Sequence, residues 1–181
     1  MQQFTQKYAI IQLFEDMPVG AQFASSDWPL HSTPLHSTPL HSTPLHSTVI
    51  DTFAIDWDLP KMVEELDNLL RTHAQANSIV EDDCFFGDNG QVHVALLRKT
   101  DGLVSLHYDV VELLEQGGLR LNDPQFAKES FLPHSTVQSY KRLNKGDEVI
   151  FSALSIVDFF PDKDPYQRKI LAIIPIGEAP L

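Results

Sequence analysis

Apolar positions along the chain change their spacing several times, and each change marks an element. Residues 8–14, YAIIQLF, form a short unbroken apolar run suited to a buried strand. Residues 16–28 carry Pro18, Gly20 and a Ser-Ser-Asp cluster and read as loop. Residues 49–57, VIDTFAIDW, are β-branched and aromatic and predict a strand. A helix then starts, with Asp58 or Leu59 near the cap and Pro60 in the first turn. Met62, Val63, Leu66, Leu69 and Leu70 keep helical spacing toward His73. Residues 78–86 and 91–98 predict two strands joined by the turn Gly87-Asp88-Asn89-Gly90. Residues 105–116 predict a second helix, with Leu106, Val110, Leu113 and Leu114 on one face and Gly117-Gly118 as its stop. Residues 119–132 are irregular, and 136–140 read as a short strand. Residues 148–160, EVIFSALSIVDFF, and 169–176, KILAIIPI, are strong strands across the polar turn 161–167. This order of elements predicts an α+β domain with mostly antiparallel sheets. No Gly-rich phosphate loop of either common type is present, which disfavours nucleotide kinases and dinucleotide dehydrogenases.

Between the first two strands the pattern is a repeat. Residues 29–48 read PLHST PLHST PLHST PLHST, with no change between units. Pro at every fifth position fixes φ and removes an N–H, so neither a regular helix nor a central strand runs through residues 29–44. They are expected to form an extruded, turn-rich loop within one domain spanning residues 1–181. A His every five residues puts no two imidazoles on one helical face, and no carboxylate or Cys lies in the tract, so it is a poor metal site.

Composition narrows the class. The 181 residues are 43% hydrophobic, enough for a sizeable core. Lys plus Arg number 13 against 25 Asp plus Glu, a formal charge of −12. Such a chain lacks the broad basic surface that grips long nucleic acid, while a locally positive pocket for a nucleotide or an RNA terminus stays compatible with it. Cys84 stands alone, which excludes an internal disulfide framework and any multi-Cys metal cluster. The N-terminus is a poor signal peptide, and no apolar stretch reaches the roughly 18 residues of a membrane span. The expectation is a cytoplasmic protein without a membrane partner; its oligomeric state is not legible.

One tetrapeptide occurs in both halves of the chain. His46-Ser47-Thr48-Val49 returns as His134-Ser135-Thr136-Val137, preceded by Pro44-Leu45 in one case and Leu132-Pro133 in the other. Each opens a predicted strand. Alternation places His and Thr of each copy on one strand face, so two such strands side by side present two imidazoles and two hydroxyls to one cleft. One neutral imidazole can take a proton from water or a hydroxyl while the opposite imidazolium protonates the leaving oxygen. The Thr hydroxyls can hold non-bridging phosphate oxygens as charge builds. His31, His36 and His41 sit in identical pentapeptides, but each is followed by Thr-Pro, whereas Thr48 runs into Val49 and the strand. His46 and Thr48 are therefore chosen; the competing register keeps His31 against Trp28.

These paired His-x-Thr motifs, one per half of an α+β chain of this length, resemble the 2H phosphoesterase superfamily, which includes proteins named as RNA 2′,3′-cyclic phosphodiesterases or 2′-5′ RNA ligases. The resemblance implies two pseudo-symmetric lobes of mostly antiparallel sheet, helices on the outer faces and a central cleft. It implies a phosphoric diester hydrolase acting on 2′,3′-cyclic, 2′-5′-linked or related cyclic nucleotides without metal or other cofactor. His46, Thr48, His134 and Thr136 would be its catalytic set. The hydrophobic residue usual inside each motif is Ser here, at Ser47 and Ser135, where the side chain faces away from the cleft. Tyr140, Lys141, Arg142 and Tyr166 are candidates for substrate binding. Because the repeated unit is the motif itself, unit number is expected to tune the activity. The rival readings are a nucleotide-binding or regulatory module of the same fold that does not turn over, and a His-tract metal protein. Of the other residues, His73 reads as a helix C-terminal residue, His93 and His107 as structural, Glu81-Asp82-Asp83 as a solvated edge, and Cys84 as an unreactive thiol beside an acid.

Overall fold

The structure is a computed structural model that describes residues 7–24, 43–138 and 141–177. The repeat up to residue 42, and with it His31, His36 and His41, lies outside the described residues, as does Tyr140. Among the described residues, ten strands and two α-helices follow in the order β1 (Tyr8–Leu13), β2 (Gln22–Ala24), β3 (His46–Ala54), α1 (Leu59–Arg71), β4 (Ala76–Phe86), β5 (Val92–Leu97), α2 (Asp101–Glu115), β6 (Arg120–Leu121), β7 (His134–Thr136), β8 (Glu148–Phe151), β9 (Ala153–Asp158) and β10 (Gln167–Pro175). They build two antiparallel sheets, one ordered β2-β10-β9-β1-β3-β6 and the other β7-β5-β4-β8. The expected α+β class with mostly antiparallel sheet is what the chain adopts.

Both helices are set by local chemistry. The Asp58 carboxylate caps α1 by accepting the Lys61 N–H at 2.9 Å, with Pro60 in the first turn. The Thr100 hydroxyl caps α2 by accepting the Leu103 N–H, so this helix starts four residues before the apolar spacing alone indicated. Past its end, Gly118 takes a positive φ of 82°, and a Cβ on Gly117 would lie 2.3 Å from the Trp57 ring. The Gly-Gly stop therefore serves chain reversal and close packing together.

Met62, Leu66 and Leu70 of α1 and Leu103, Leu106, Val110 and Leu114 of α2 form one core with Ile10, Ile50, Phe53, Phe151 and Ile156 of the sheets. A smaller cluster of Ala9, Ile11, Phe23, Val157 and Ile170 covers the opposite face of the larger sheet. Strand β2 belongs to this second cluster. It falls in the stretch 16–28 expected as loop, and pairing with β10 compensates for its short length.

The run 148–160 is two strands rather than one. β8 pairs with β4 in the smaller sheet, and β9 pairs with β1 and β10 in the larger. The chain changes sheet at Ser152. There Gln12, only 5% exposed, accepts the Ser152 N–H at 2.7 Å and the Ala153 N–H at 3.1 Å with the same Oε1. One buried side chain thus satisfies two backbone donors that leave a ladder. Gln12→Leu leaves both unpaired and is expected to cost about 2–3 kcal/mol, a fall in melting temperature of about 5–10 °C. A melting temperature within a degree of the wild type would rule out this pin.

Candidate functional site

The two His-Ser-Thr copies open β3 and β7, strands of different sheets that pack against each other. On β3, Leu13 opposes His46, Gln12 opposes Ser47 and Ile11 opposes Thr48. On β7, Leu96 opposes His134, Ala95 opposes Ser135 and Val94 opposes Thr136. In both copies His and Thr are half-buried and Ser is buried, at 0% exposure for Ser47 and 1% for Ser135. The serines point away from the His–Thr face, and neither hydroxyl has a hydrogen-bond partner among the described residues.

The local hydrogen bonds repeat as well. His46 Nδ1 lies 2.7 Å from the Pro44 carbonyl and His134 Nδ1 lies 2.8 Å from the Leu132 carbonyl. A carbonyl only accepts, so Nδ1 carries the proton in each ring and Nε2 holds the lone pair when the ring is neutral. Each ring orientation is thus fixed by the residue two positions before it.

The surroundings of the two rings differ. Burial pushes the His134 imidazole below its ordinary pKa, against the opposing pull of the Leu132 carbonyl and the Asp51 carboxylate. Phe86 stands edge-on to it, with ring centroids 4.9 Å apart. Beside His46 lies Glu15, which accepts the Leu45 N–H and the Lys141 ammonium, the latter at 2.6 Å. Burial raises the Glu15 pKa, but these two bonds and the nearby His46 outweigh it and hold the carboxyl below its usual range. The pair links the entry to β3 with the segment after β7.

Strand β3 is irregular where it leaves the motif. Between Thr48 and Ile50 it gains one residue on β1, and between Ile50 and Phe53 another. These bulges break the alternation, so that Val49 and Ile50 are both buried while Asp51 is exposed and acts on His134.

Arg142 and Tyr166 are placed elsewhere. Arg142 makes two hydrogen bonds to Asp83, at 2.5 and 3.1 Å, and Asp83 also contacts His93 Nε2 at 2.8 Å. The Arg142 bond and then the His93 bond hold the Asp83 carboxyl at about 2. Register puts Asp83 on the strand face of Ala95 and Ser135, opposite the face of His134 and Thr136. Tyr166 lies in the turn before β10; along the ladder it stands beyond the Tyr8–Phe53 end of β1, whereas His46 opposes Leu13 at the other end. His73 bonds Asp109 at 2.9 Å, and Cys84 is a partly buried free thiol. Among the described residues, no three His, Cys, Asp or Glu side chains cluster as a metal group, and no helix is long and apolar enough to cross a membrane. Sequence reasoning passed over Glu15, whose single carboxylate carries no spacing signal.

No protein-family model matches the chain, and no curated protein matches it in sequence. Solved structures do. A crystal structure of a phosphoesterase aligns with a TM-score of 0.52 at 13% identity, over 96% of this chain and 99% of that one. E. coli LigT complexed with 3′-AMP aligns with a TM-score of 0.52 at 14% identity, over 94% of this chain and 98% of that one. LigT in its apo form aligns at 0.51 and 14% identity, over 96% and 98%. The chain therefore has the fold of these proteins along nearly its whole length.

The depressed pKa of His134, and of the buried His107 described below, sets an acid sensitivity. In the unfolded chain both rings titrate near ~6.5. Below that pH the unfolded state binds more protons, so this contribution to stability is complete above about pH 6.5 and is lost as pH falls through the folded values. The urea midpoint is expected to be lower at pH 5.5 than at 7.5, and ring-proton NMR to find both groups titrating below the ordinary value. Ordinary titration of both would refute this.

Proposed function

We propose that the chain is a metal-independent phosphodiesterase acting on 2′,3′-cyclic or 2′-5′-linked small nucleotides, with His46 and His134 as acid and base and Thr48 and Thr136 as ligands of the phosphate oxygens. One observation carries the reading. Two copies of one motif stand at the starts of strands that pack together, and each imidazole is fixed by the same Nδ1–carbonyl bond. A single His-x-Thr would be unremarkable; two with matched geometry give the paired proton donor and acceptor that in-line displacement at phosphorus needs. The likeness to LigT in complex with 3′-AMP supports a mononucleotide-sized ligand, and a charge of −12 disfavours long RNA.

For opening a cyclic phosphate, His134 is the base and His46 the acid. Burial favours the neutral form of His134, and His46 has the Glu15 carboxylate near it. His134 Nε2 takes a proton from water as it attacks phosphorus. His46 gives its Nε2 proton to the departing ribose oxygen. The Thr hydroxyls donate to the oxygens on which charge accumulates. In the reverse direction the roles exchange.

The direct test is hydrolysis of 2′,3′-cyclic nucleotides in EDTA by the wild type, His46→Ala and His134→Ala. Each substitution is expected to lower kcat/KM by about 10²- to 10⁴-fold. The residual activity of His46→Ala should keep the acid-side limb of the pH profile and lose the alkaline one. Nucleotide binding without turnover by the wild type would replace this reading with a non-catalytic module.

The repeat is part of the same proposal. The Thr43 hydroxyl donates to the Ala24 carbonyl at 2.7 Å, so the chain on either side of residues 25–42 meets at one point. Units can then be lost or gained with both anchors in place, changing closure entropy by less than about 1 kcal/mol for two units. Deleting residues 29–38 should leave the melting temperature nearly unchanged and alter kcat/KM by more than about threefold. Unchanged turnover would remove the repeat from the mechanism.

A further inference from the structure

His107 is the most buried histidine in the described chain, at 2% exposure, and it lies on α2, outside both motifs. Its Nδ1–H donates to the Val49 carbonyl at 2.8 Å. On the opposite edge of the ring, Nε2 accepts the Lys128 N–H at 2.8 Å. The ring stacks on Phe131 with centroids 4.0 Å apart and planes 1° apart. Val49 directly follows Thr48 in the stretch where β3 gains a residue. Phe131 lies three residues before His134 and is followed by Leu132, whose carbonyl fixes the His134 ring.

We propose that His107 is a positioning residue that sets the His46–Thr48 strand against the His134–Thr136 strand by bridging Val49 to the segment from Lys128 to Phe131. The inference rests on the paired-histidine reading above.

A residue needed only to fill this space would carry no polar atoms. This one needs a donor on one edge, an acceptor on the other, a flat face for stacking, and rigidity between them. Neutral imidazole is the side chain that supplies all four. Burial keeps the ring below its ordinary pKa and so favours that neutral form. Lys128 adopts a φ of 58°, in the left-handed region where a non-glycine residue is strained, and its amide is the one that His107 accepts. The bridge is thus made at a bulge on one side and at a strained residue on the other, two places where the backbone would otherwise settle differently.

Three variants separate the parts of the bridge. His107→Phe keeps the stack and loses both hydrogen bonds. His107→Asn can keep the bond to Val49, and His107→Gln the bond from Lys128. Turnover of a 2′,3′-cyclic nucleotide and the methyl NMR signals of Thr48 and Thr136 are read for each. His107→Phe is expected to lower kcat by about 10- to 100-fold with KM within about threefold, since a shift of the order of 1 Å costs that much in rate. The Asn and Gln variants are expected to recover part of the lost kcat. The methyl signals of both threonines should move in His107→Phe. If that variant fails to fold, the Asn and Gln variants decide, each then expected to fall below the wild type in kcat and to move both signals. A kcat within twofold of the wild type, movement confined to one threonine, or no recovery by either polar variant over a folded His107→Phe overturns the proposal. A wild type that does not turn over would refute the enzyme reading, and the two threonine signals would still decide the bridge.

Discussion

Strand β3 has to satisfy two demands that a regular strand cannot meet together. Its first three residues need strict alternation, with His46 and Thr48 on one face and the buried Ser47 on the other. Its remainder packs into the core almost continuously, through Val49, Ile50, Thr52, Phe53 and Ala54. The extra residues after Thr48 change the rule midway along the strand, and they leave a carbonyl at Val49 that takes its donor from outside the sheet. His107 supplies that donor, and with it the docking of α2 and the course of the chain from Lys128 to Phe131 become part of the same arrangement.

The second sheet repeats the motif without this irregularity. β7 is three residues long, and its ladder with β5 reaches one residue further at each end, through the Pro133 carbonyl and the Val137 N–H. Its position comes from attachments at either side: His107 against Phe131 before it, and Lys141 paired with Glu15 after it. Glu15 in turn holds the Leu45 N–H, one residue before His46. The likeness of the two copies therefore extends to the Nδ1–carbonyl bond and the buried serine, while the supports around them differ. Those differences separate the environments of the two imidazoles, and the acid and base roles proposed for them depend on that separation.

What could be read from the sequence follows the range of the interactions involved. The motif pair, the hairpin at Gly87–Gly90 and the cap at Asp58 are local patterns, and the structure has all three. β2 escaped because three residues beside Pro18 and Gly20 carry too little apolar signal; pairing with β10 makes the strand. The break at Ser152 escaped because EVIFSALSIVDFF is apolar throughout, and the change of sheet is written in Gln12, far upstream. His107 reads as structural on an amphipathic helix, which is true of its burial and silent about the two backbone groups it joins. Arg142 looked available beside Lys141 in sequence, and only the strand register reveals its partner Asp83 on the other face.

The charges around the motifs bear on how a phosphate would be met. Lys141 and Arg142 follow β7 closely, and each is ion-paired, with Glu15 and Asp83 respectively. On the proposed reading, the phosphate would then face two imidazoles and two hydroxyls ahead of any cation of these pairs. Neutral donors and a titratable ring hold a ground-state phosphodiester weakly, because water competes well for a single spread negative charge. Their hydrogen bonds strengthen as charge localises on the non-bridging oxygens and as a proton moves to the leaving oxygen. Such a set discriminates in favour of the transition state, whereas fixed cations stabilise substrate, product and transition state together. In a chain carrying −12 overall, the proposed arrangement would keep affinity for polyanions low and leave selection to the reacting phosphate itself.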